Sequence, residues 1–309
     1  MTDAVRTHRV RLALILAVVV LLLGGYTVLW FHGARIMRAE LDRWVATERA
    51  AGREVAHGDI RMRGYPAALR AVVDAPSWAE PGQWSWNAET LNVIAVPYDP
   101  RRLILAPFGE QAVVYDDVTY ALRAEDMRFS LSRGAFGAQI AGLTAESGER
   151  TLALAVGKAN WARNEDGTAV LGVSGQDALY RVPSGAVSLP FVNAALSENG
   201  GGELQVQAFN AAVSPDAATD PTLLAGEGEA SLDDAGYPAG RMTLRLRNPE
   251  PLVTVMSEQG AIPSNQAPAV LSVLASMQED GETALPLSMR DGRLRVGFVP
   301  LADLPKIGG

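Results

Sequence analysis

The chain has 309 residues, 48% of them hydrophobic but only 6% aromatic, and carries a net charge of −8. An acidic chain without a basic stripe gains no phosphate-neutralising energy, which excludes nucleic acid as an expected partner. It has no cysteine, so disulfides, thiolate metal sites and cysteine nucleophiles are excluded as well.

Leu12 to Phe31 is an uncharged run of 20 residues. At ~1.5 Å per residue such a helix spans roughly 30 Å, the hydrocarbon thickness of a bilayer. Leu12 opens the run; Tyr26, Trp30 and Phe31 close it, where aromatic rings favour the headgroup level. A cleaved signal peptide has a shorter apolar stretch and small residues at its cleavage site. The exit here, Trp30-Phe31-His32-Gly33-Ala34-Arg35, has no such site. Residues 1–11 are therefore expected to be a tail and residues 12–31 a membrane anchor. Arg6, Arg9 and Arg11 precede the run and Arg35, Arg38 and Arg43 follow it, so charge counting alone leaves the orientation nearly even. The short tail, and the tendency of long downstream domains to translocate regardless of charge, predict the N-terminus in the cytoplasm and the domain on the far side.

Residues 32–52 predict an amphipathic stalk helix. Ile36, Met37, Leu41, Trp44 and Val45 are expected to share one face, and Gly52 to end it. The simpler assignment is a stalk docked on a sheet; the sharper one is a lid over a groove.

Residues 53–309 read as one β-rich domain, with sub-units over 53–230 and 231–309 as one division. Leu91, Val93 and Ala95 alternate with their neighbours, as do Met127, Phe129 and Leu131; Leu152, Leu154 and Val156; Leu204, Val206 and Ala208; and Met242, Leu244 and Leu246. Period two means half-buried strands, and closely spaced strands predict antiparallel meanders. A short helix is expected over Leu189 to Leu196. Asn164 to Gly167 and Asp233 to Gly236 predict turns, lacking the ligand spacing of a calcium loop, and Ser214 to Pro221 an exposed loop. Helices are predicted over Pro251 to Ser257 and over Ser264 to Gln278, the second capped by Ser264, apolar along Val270, Leu271, Val273, Leu274 and Met277, and ended by Gly281. Asp291-Gly292 predicts a tight hairpin that pairs Met289 with Leu294, Leu287 with Val296 and Leu285 with Phe298. The predicted fold class is thus mainly β with a few helices (α+β): an extended, curved antiparallel sheet behind the anchor.

Gly64-Tyr65-Pro66-Ala67 and Gly236-Tyr237-Pro238-Ala239 echo one another. Glycine permits an unusual backbone angle and proline blocks ladder pairing, so each should punctuate strands. The anchor, Gly64-Tyr65-Pro66, Ala75-Pro76-Ser77-Trp78, Trp84-Ser85-Trp86, Asp291-Gly292-Arg293-Leu294, Pro300-Leu301 and Leu304-Pro305 occur in an order that resembles a bacterial envelope family, domain of unknown function 2125. The resemblance spans nearly the whole chain. It implies an envelope protein without assigned chemistry and brings no catalytic residues; with the topology above, the anchor is expected in the inner membrane and the main domain in the periplasm. At the level of fold, the plan is similar to anchored β-groove proteins that handle lipids.

The chemistry available is sparse. Of three histidines only His57 lies in the domain, and no nucleophile elbow, P-loop or dinucleotide fingerprint is present. The pairs Asp116-Asp117, Glu125-Asp126 and Asp233-Asp234 point to opposite faces of a strand and do not converge by themselves. No cofactor, metal or catalytic residue is expected, and the protein reads as non-enzymatic. Trp78, Trp84 and Trp86 cluster within nine residues. They and Trp44 are the ligand-groove candidates, with packing of the tryptophans over a core edge as the plainer assignment. The expected partners are the membrane, through the helix, and a lipid or apolar ligand in the groove. The alternatives are a scaffold for another envelope protein and a hydrolase built around His57.

Overall fold

The computed structural model describes residues 2–96, 99–198, 203–216, 218–233, 235–296, 299–304 and 306. One helix, α1 (Thr2–Ala50), runs through both the apolar run and the stalk without a break. From Leu16 onward it is long and apolar enough to cross a membrane, as a membrane anchor or a signal sequence is.

The domain opens with β1 (Glu54–Ala56), β2 (Ile60–Arg63), β3 (Leu69–Asp74), β4 (Ser77–Glu80), β5 (Trp84–Val96) and β6 (Asp99–Tyr115). Next come β7 (Val118–Arg123), β8 (Asp126–Ser132), β9 (Ala135–Ser147), β10 (Arg150–Arg163), β11 (Ala169–Val182) and β12 (Gly185–Glu198). Then follow β13 (Glu203–Val213), β14 (Thr222–Leu232), β15 (Pro238–Arg247), α2 (Glu250–Glu258) and α3 (Ala267–Ser276). The last elements are β16 (Gln278–Glu279), β17 (Glu282–Arg290), β18 (Arg293–Val296) and β19 (Val299–Asp303). All strand pairings are antiparallel and belong to one sheet. The mainly β, antiparallel architecture expected from alternation is the one observed.

The pairing is a long meander. β2, β3, β5 and β6 lie side by side; β8 and β7 each pair with one half of β6 and of β9. From β9 to β15 each strand pairs with the next, β17 adds to β15, and β18 and β19 follow. The β14–β15 ladder runs from Leu223 to Leu232, so the sheet is continuous across residue 231.

A crease crosses this sheet. Its positions are Ala75 (φ 42) between β3 and β4, Gly109 (φ 84) in β6, Gly142 (φ 60) in β9 and Asp177 (φ 50) in β11. In β5 the register slips between Ala88 and Thr90. Between Leu154–Ala178 and Val156–Gln176 the β10–β11 ladder skips one position. Each strand thus takes an extra step at the corner, as bulges do where a sheet bends. The inward residues then follow at three, not two. A Cβ on Gly157 would stand 2.9 Å from Leu154 Cδ2, and one on Gly175 3.1 Å from Val192 Cγ1. Ala88, Met127, Gly157, Gly175 and Ala178 are buried at the corner, whereas Ala155, Gln176 and Asp177 opposite are exposed. The sheet folds with its apolar side inward, into a long wall and a short wall.

This corner overturns two local expectations, and a bulge in β13 overturns a third. Leu189 to Leu196 is not a helix but part of β12. Leu189, Val192 and Leu196 show helical spacing because the crease inserts a residue between the first two. In the triplet Leu152, Leu154 and Val156, the crease turns Val156 to the outer side. In β13 a register shift between Val206 and Phe209 likewise breaks the alternation before Ala208.

Helices pack on the sheet at two places. Met37 packs on Ala71, Val73 and Val93, ringed by Leu41, Ile60, Met62, Leu69, Leu91, Ala95 and Leu105. The docked face of α1 runs through Trp30, Ala34, Met37, Leu41 and Val45. Ile36 and Trp44, expected on that face, are 50% and 49% exposed. They stand about 100° around the helix from Met37 and Val45, one residue away from each. Against β12 and β14, α2 buries Pro251, Val253 and Val255. Thr222, fully buried, accepts from Leu252 N at 3.0 Å and donates to Asn248 O at 2.6 Å. α3 starts after Gln266, without a side-chain cap, and none of its residues is buried. Ser264 instead lies 3.3 Å from the Ser257 hydroxyl, and Gly281 (φ 81) serves the β16–β17 turn.

The remaining turns form as read. Asp291 (φ 53) and Gly292 (φ 68) close a hairpin that pairs Met289 with Leu294 and Leu287 with Val296; Phe298 lies outside the described residues. Both Gly-Tyr-Pro steps join strands, β2 to β3 and β14 to β15. The chain exposes 19770 Å², against about 12,500 Å² for a compact protein of its mass. The bare anchor helix and the open sheet account for the excess.

Candidate functional site: the apolar inner face

The inner face of the long wall is built from cross-strand rows, each made of residues facing one another in register. One row begins at Leu69 and passes through Ala95, Leu103, Leu131, Phe136 and Trp161. It continues through Leu171, Leu196, Val206, Gly228, Met242 and Leu287 to Val296. A second row runs Met62, Ala71, Val93, Leu105, Phe129 and Ala138. It goes on through Ala159, Val173, Ala194, Phe209, Gly226, Leu244 and Leu285. No position in either row is polar. At roughly 4.8 Å between strands, the first row extends roughly 60 Å along the sheet.

The opposite face is different in kind. One of its rows reads Arg128, Gln139, Lys158, Ser174, Asn193 and Asn210. The apolar rows therefore mark one side of the sheet only. They are also incompletely covered. Leu103, Leu131 and Val173 keep 37%, 39% and 40% of their surface exposed, where a packed sandwich core would leave almost none. Phe129 and Phe136 stack at 6.3 Å between ring centres.

The short wall carries the tryptophans. Val55, Trp78, Trp86 and Val113 stand in one row. Trp78 and Trp84 rings lie 4.5 Å apart, and the Arg53 guanidinium sits 5.8 Å over Trp78. Trp78 Nε1 donates to Glu48 Oε2 of α1 at 3.1 Å, and Trp86 Nε1 to Gln111 Oε1 at 3.1 Å. The structure thus brings Trp78, Trp84 and Trp86 together beneath the C-terminal end of the stalk. Trp44 stands apart on the outward side of α1.

Of the anchor residues, the Tyr26 hydroxyl donates to Pro66 O, and Trp30 Nε1 donates to Ala68 O at 3.0 Å. Phe31 packs edge-on against Trp30 at 5.2 Å. The side chain of Leu12 lies outside the described residues.

The row-forming aromatics Phe136, Trp161 and Phe209 are absent from the residues singled out by sequence. Their signal is present in the turns. Folding back at Asn164 to Gly167, where Asn164 N donates to Thr168 O at 2.7 Å, sets Trp161 opposite Leu171.

A concavity of about 1110 Å³ is lined by polar residues such as Ser197, Gln205, Glu229, Arg241 and Ser288, together with Gly228, Met242 and Leu287 of the first row. Among the described residues no group of three His, Asp or Glu side chains is placed to hold a metal ion. The His57 ring meets its neighbour's carbonyl, Gly58 O, at 2.7 Å. Hydrogen bonds from the Thr168 side chain and backbone hold the Asp166 carboxyl below its usual range. Those from Thr219, and then from Ala218, do the same for Asp216. Both aspartates order exposed turns.

No curated protein and no solved structure matches the chain. A family model described as an uncharacterized protein conserved in bacteria (DUF2125) matches residues 30–305, so the chain belongs to that family.

Proposed function

We propose that this is a non-enzymatic, membrane-anchored envelope protein whose inner face binds lipid acyl chains or a comparably apolar ligand. In this reading the N-terminus lies in the cytoplasm, α1 crosses the inner membrane, and the sheet stands in the periplasm. The observation that carries the proposal is the unbroken apolar row from Leu69 to Val296, beginning beside α1 and left partly open to solvent. Its length of roughly 60 Å is twice the ~30 Å hydrocarbon thickness of a bilayer, enough for several acyl chains end to end. Each methylene that leaves water contributes about 0.8 kcal/mol, so a trough without polar positions favours chains over headgroups.

Native mass spectrometry of the full chain in mild detergent tests this. Phospholipid-mass adducts that exchange with added lipid are expected, and Leu171→Glu together with Phe136→Glu should remove them. A bare protein mass that added lipid never shifts would overturn the proposal. A second reading, a scaffold for another envelope protein, draws on α3 and its C-cap, where Val273 and Met277 are exposed and apolar. Adduct-free protein that instead co-purifies with one stoichiometric envelope protein would favour it.

A further inference from the structure

The turn between β2 and β3 is bonded not to the sheet but to the part of α1 that lies within the apolar run. Tyr26 donates to Pro66 O, the Thr27 and Tyr65 hydroxyls meet at 2.8 Å, and Trp30 Nε1 donates to Ala68 O. The Trp30 and Tyr65 rings pack edge to face at 5.5 Å. Tyr26 is five residues N-terminal to Phe31, so the turn reaches roughly 7 Å below the level where the apolar run ends. If α1 spans a membrane with its apolar run across the ~30 Å of hydrocarbon, the tip of the turn lies beneath the headgroup layer, at the outer end of the acyl chains.

The composition of the turn fits that depth. Backbone in a bilayer must have its polar groups satisfied internally. Pro66 has no N–H, the carbonyls of Pro66 and Ala68 accept from helix side chains, and Ala68 N donates to Gly64 O at 2.9 Å. Tyr65 is 50% exposed, an amphipathic ring suited to an interface.

A second observation stands at the base of the turn. Arg63 and Arg70 face each other directly across the β2–β3 ladder, an arrangement in which like charges repel. Arg61, on the same face, has Asp74 at 2.6 Å; neither Arg63 nor Arg70 has an acidic partner among the described residues. Both are exposed. A phosphate between two guanidinium groups relieves their repulsion and matches their geometry.

We propose that Gly64 to Ala68 is a membrane-inserted wedge that passes through the headgroup layer beside the anchor to the outer end of the acyl chains, with Arg63 and Arg70 gripping the phosphates of anionic phospholipids. The wedge rests on α1 spanning a membrane and is independent of what the trough holds. It places the first trough residue, Leu69, at the bilayer surface, next to Gly33 of α1.

The absence of cysteine makes the test direct. Single cysteines at Ala67, Leu29 and Asp166 carry nitroxide labels in the full chain, reconstituted into vesicles of phosphatidylethanolamine and phosphatidylglycerol. Ala67 is exposed, so the label displaces no packing. Labels at A67C and L29C are expected to relax more with oxygen than with a water-soluble nickel chelate, and that at D166C the reverse. In R63Q/R70Q the A67C label is expected to shift toward the aqueous ratio. An aqueous ratio at A67C with a buried ratio at L29C overturns the wedge. An unchanged A67C ratio in R63Q/R70Q overturns the arginine grip. An aqueous ratio at L29C overturns the anchor on which both rest. None of these results depends on lipid in the trough, which the adduct measurement reads separately.

Discussion

Gly142 of β9 turns at φ 60 beneath Glu125, and a Cβ placed on it would stand 2.5 Å from Glu125 Cγ. Glu125 N donates to Ala141 O at 3.0 Å, which closes the gap between β7 and β8 at the corner. The crease therefore depends on a residue without a side chain at the point where two strands give way to one. Gly142→Val should cost about 2–3 kcal/mol, combining left-handed strain with the clash. Gly148→Val, at φ 57 but with nothing near its Cβ, should cost about 1–2 kcal/mol. Denaturant unfolding of the full chain in detergent measures both, and equal losses would remove the crease as the reason for Gly142.

The docked face of the stalk gives a second expectation. Met37 is 9% exposed within the α1–sheet core, whereas Trp44 is 49% exposed. Met37→Ala should lose about 2–4 kcal/mol through the cavity it leaves. Trp44→Ala should stay within about 0.5 kcal/mol, as surface changes do. The same unfolding measurement separates them, and a larger loss at Trp44 would place the stalk on its other face.

Acid sensitivity follows from the turn aspartates. Asp166 has its folded-state affinity for protons lowered from the ordinary 3.8 by the Thr168 hydrogen bonds. Its stabilising contribution is therefore complete above 3.8, and is lost as the pH falls below that value through the folded-state pKa. Asp166→Asn should flatten the fall in stability over that acid range and leave stability unchanged in slope near neutrality. Thermal melts of the two proteins against pH check this; a difference in slope near pH 7 would assign the effect to another group.

Much of the architecture was legible because turn chemistry and alternation agree. Asp291-Gly292 fixed both a hairpin and its register, and Met127, Phe129 and Leu131 share a face as read. What misled was the corner. Leu189, Val192 and Leu196 carry the spacing of a helix because a sheet folded on itself adds a residue where each strand turns, and no local pattern separates the two causes. Ile36 and Trp44 face away from the sheet because an apolar stripe wider than its partner leaves the choice of docked face to the sheet. The trough was legible only as alternation. Its continuity is a property of register, which ties Leu69 to Val296 through residues more than two hundred positions apart.

Photocrosslinking along and across the wall tests the central claim most directly. A benzoyl-phenylalanine at Leu171, Leu196 or Phe209 on the inner face, or at Ser174, Ser197 or Asn210 on the outer, is introduced into the full chain in its own membrane. Lipid captured at the three inner positions and not at the three outer ones is the predicted result. Equal capture on both faces, or none at the inner positions of a folded protein, would contradict it.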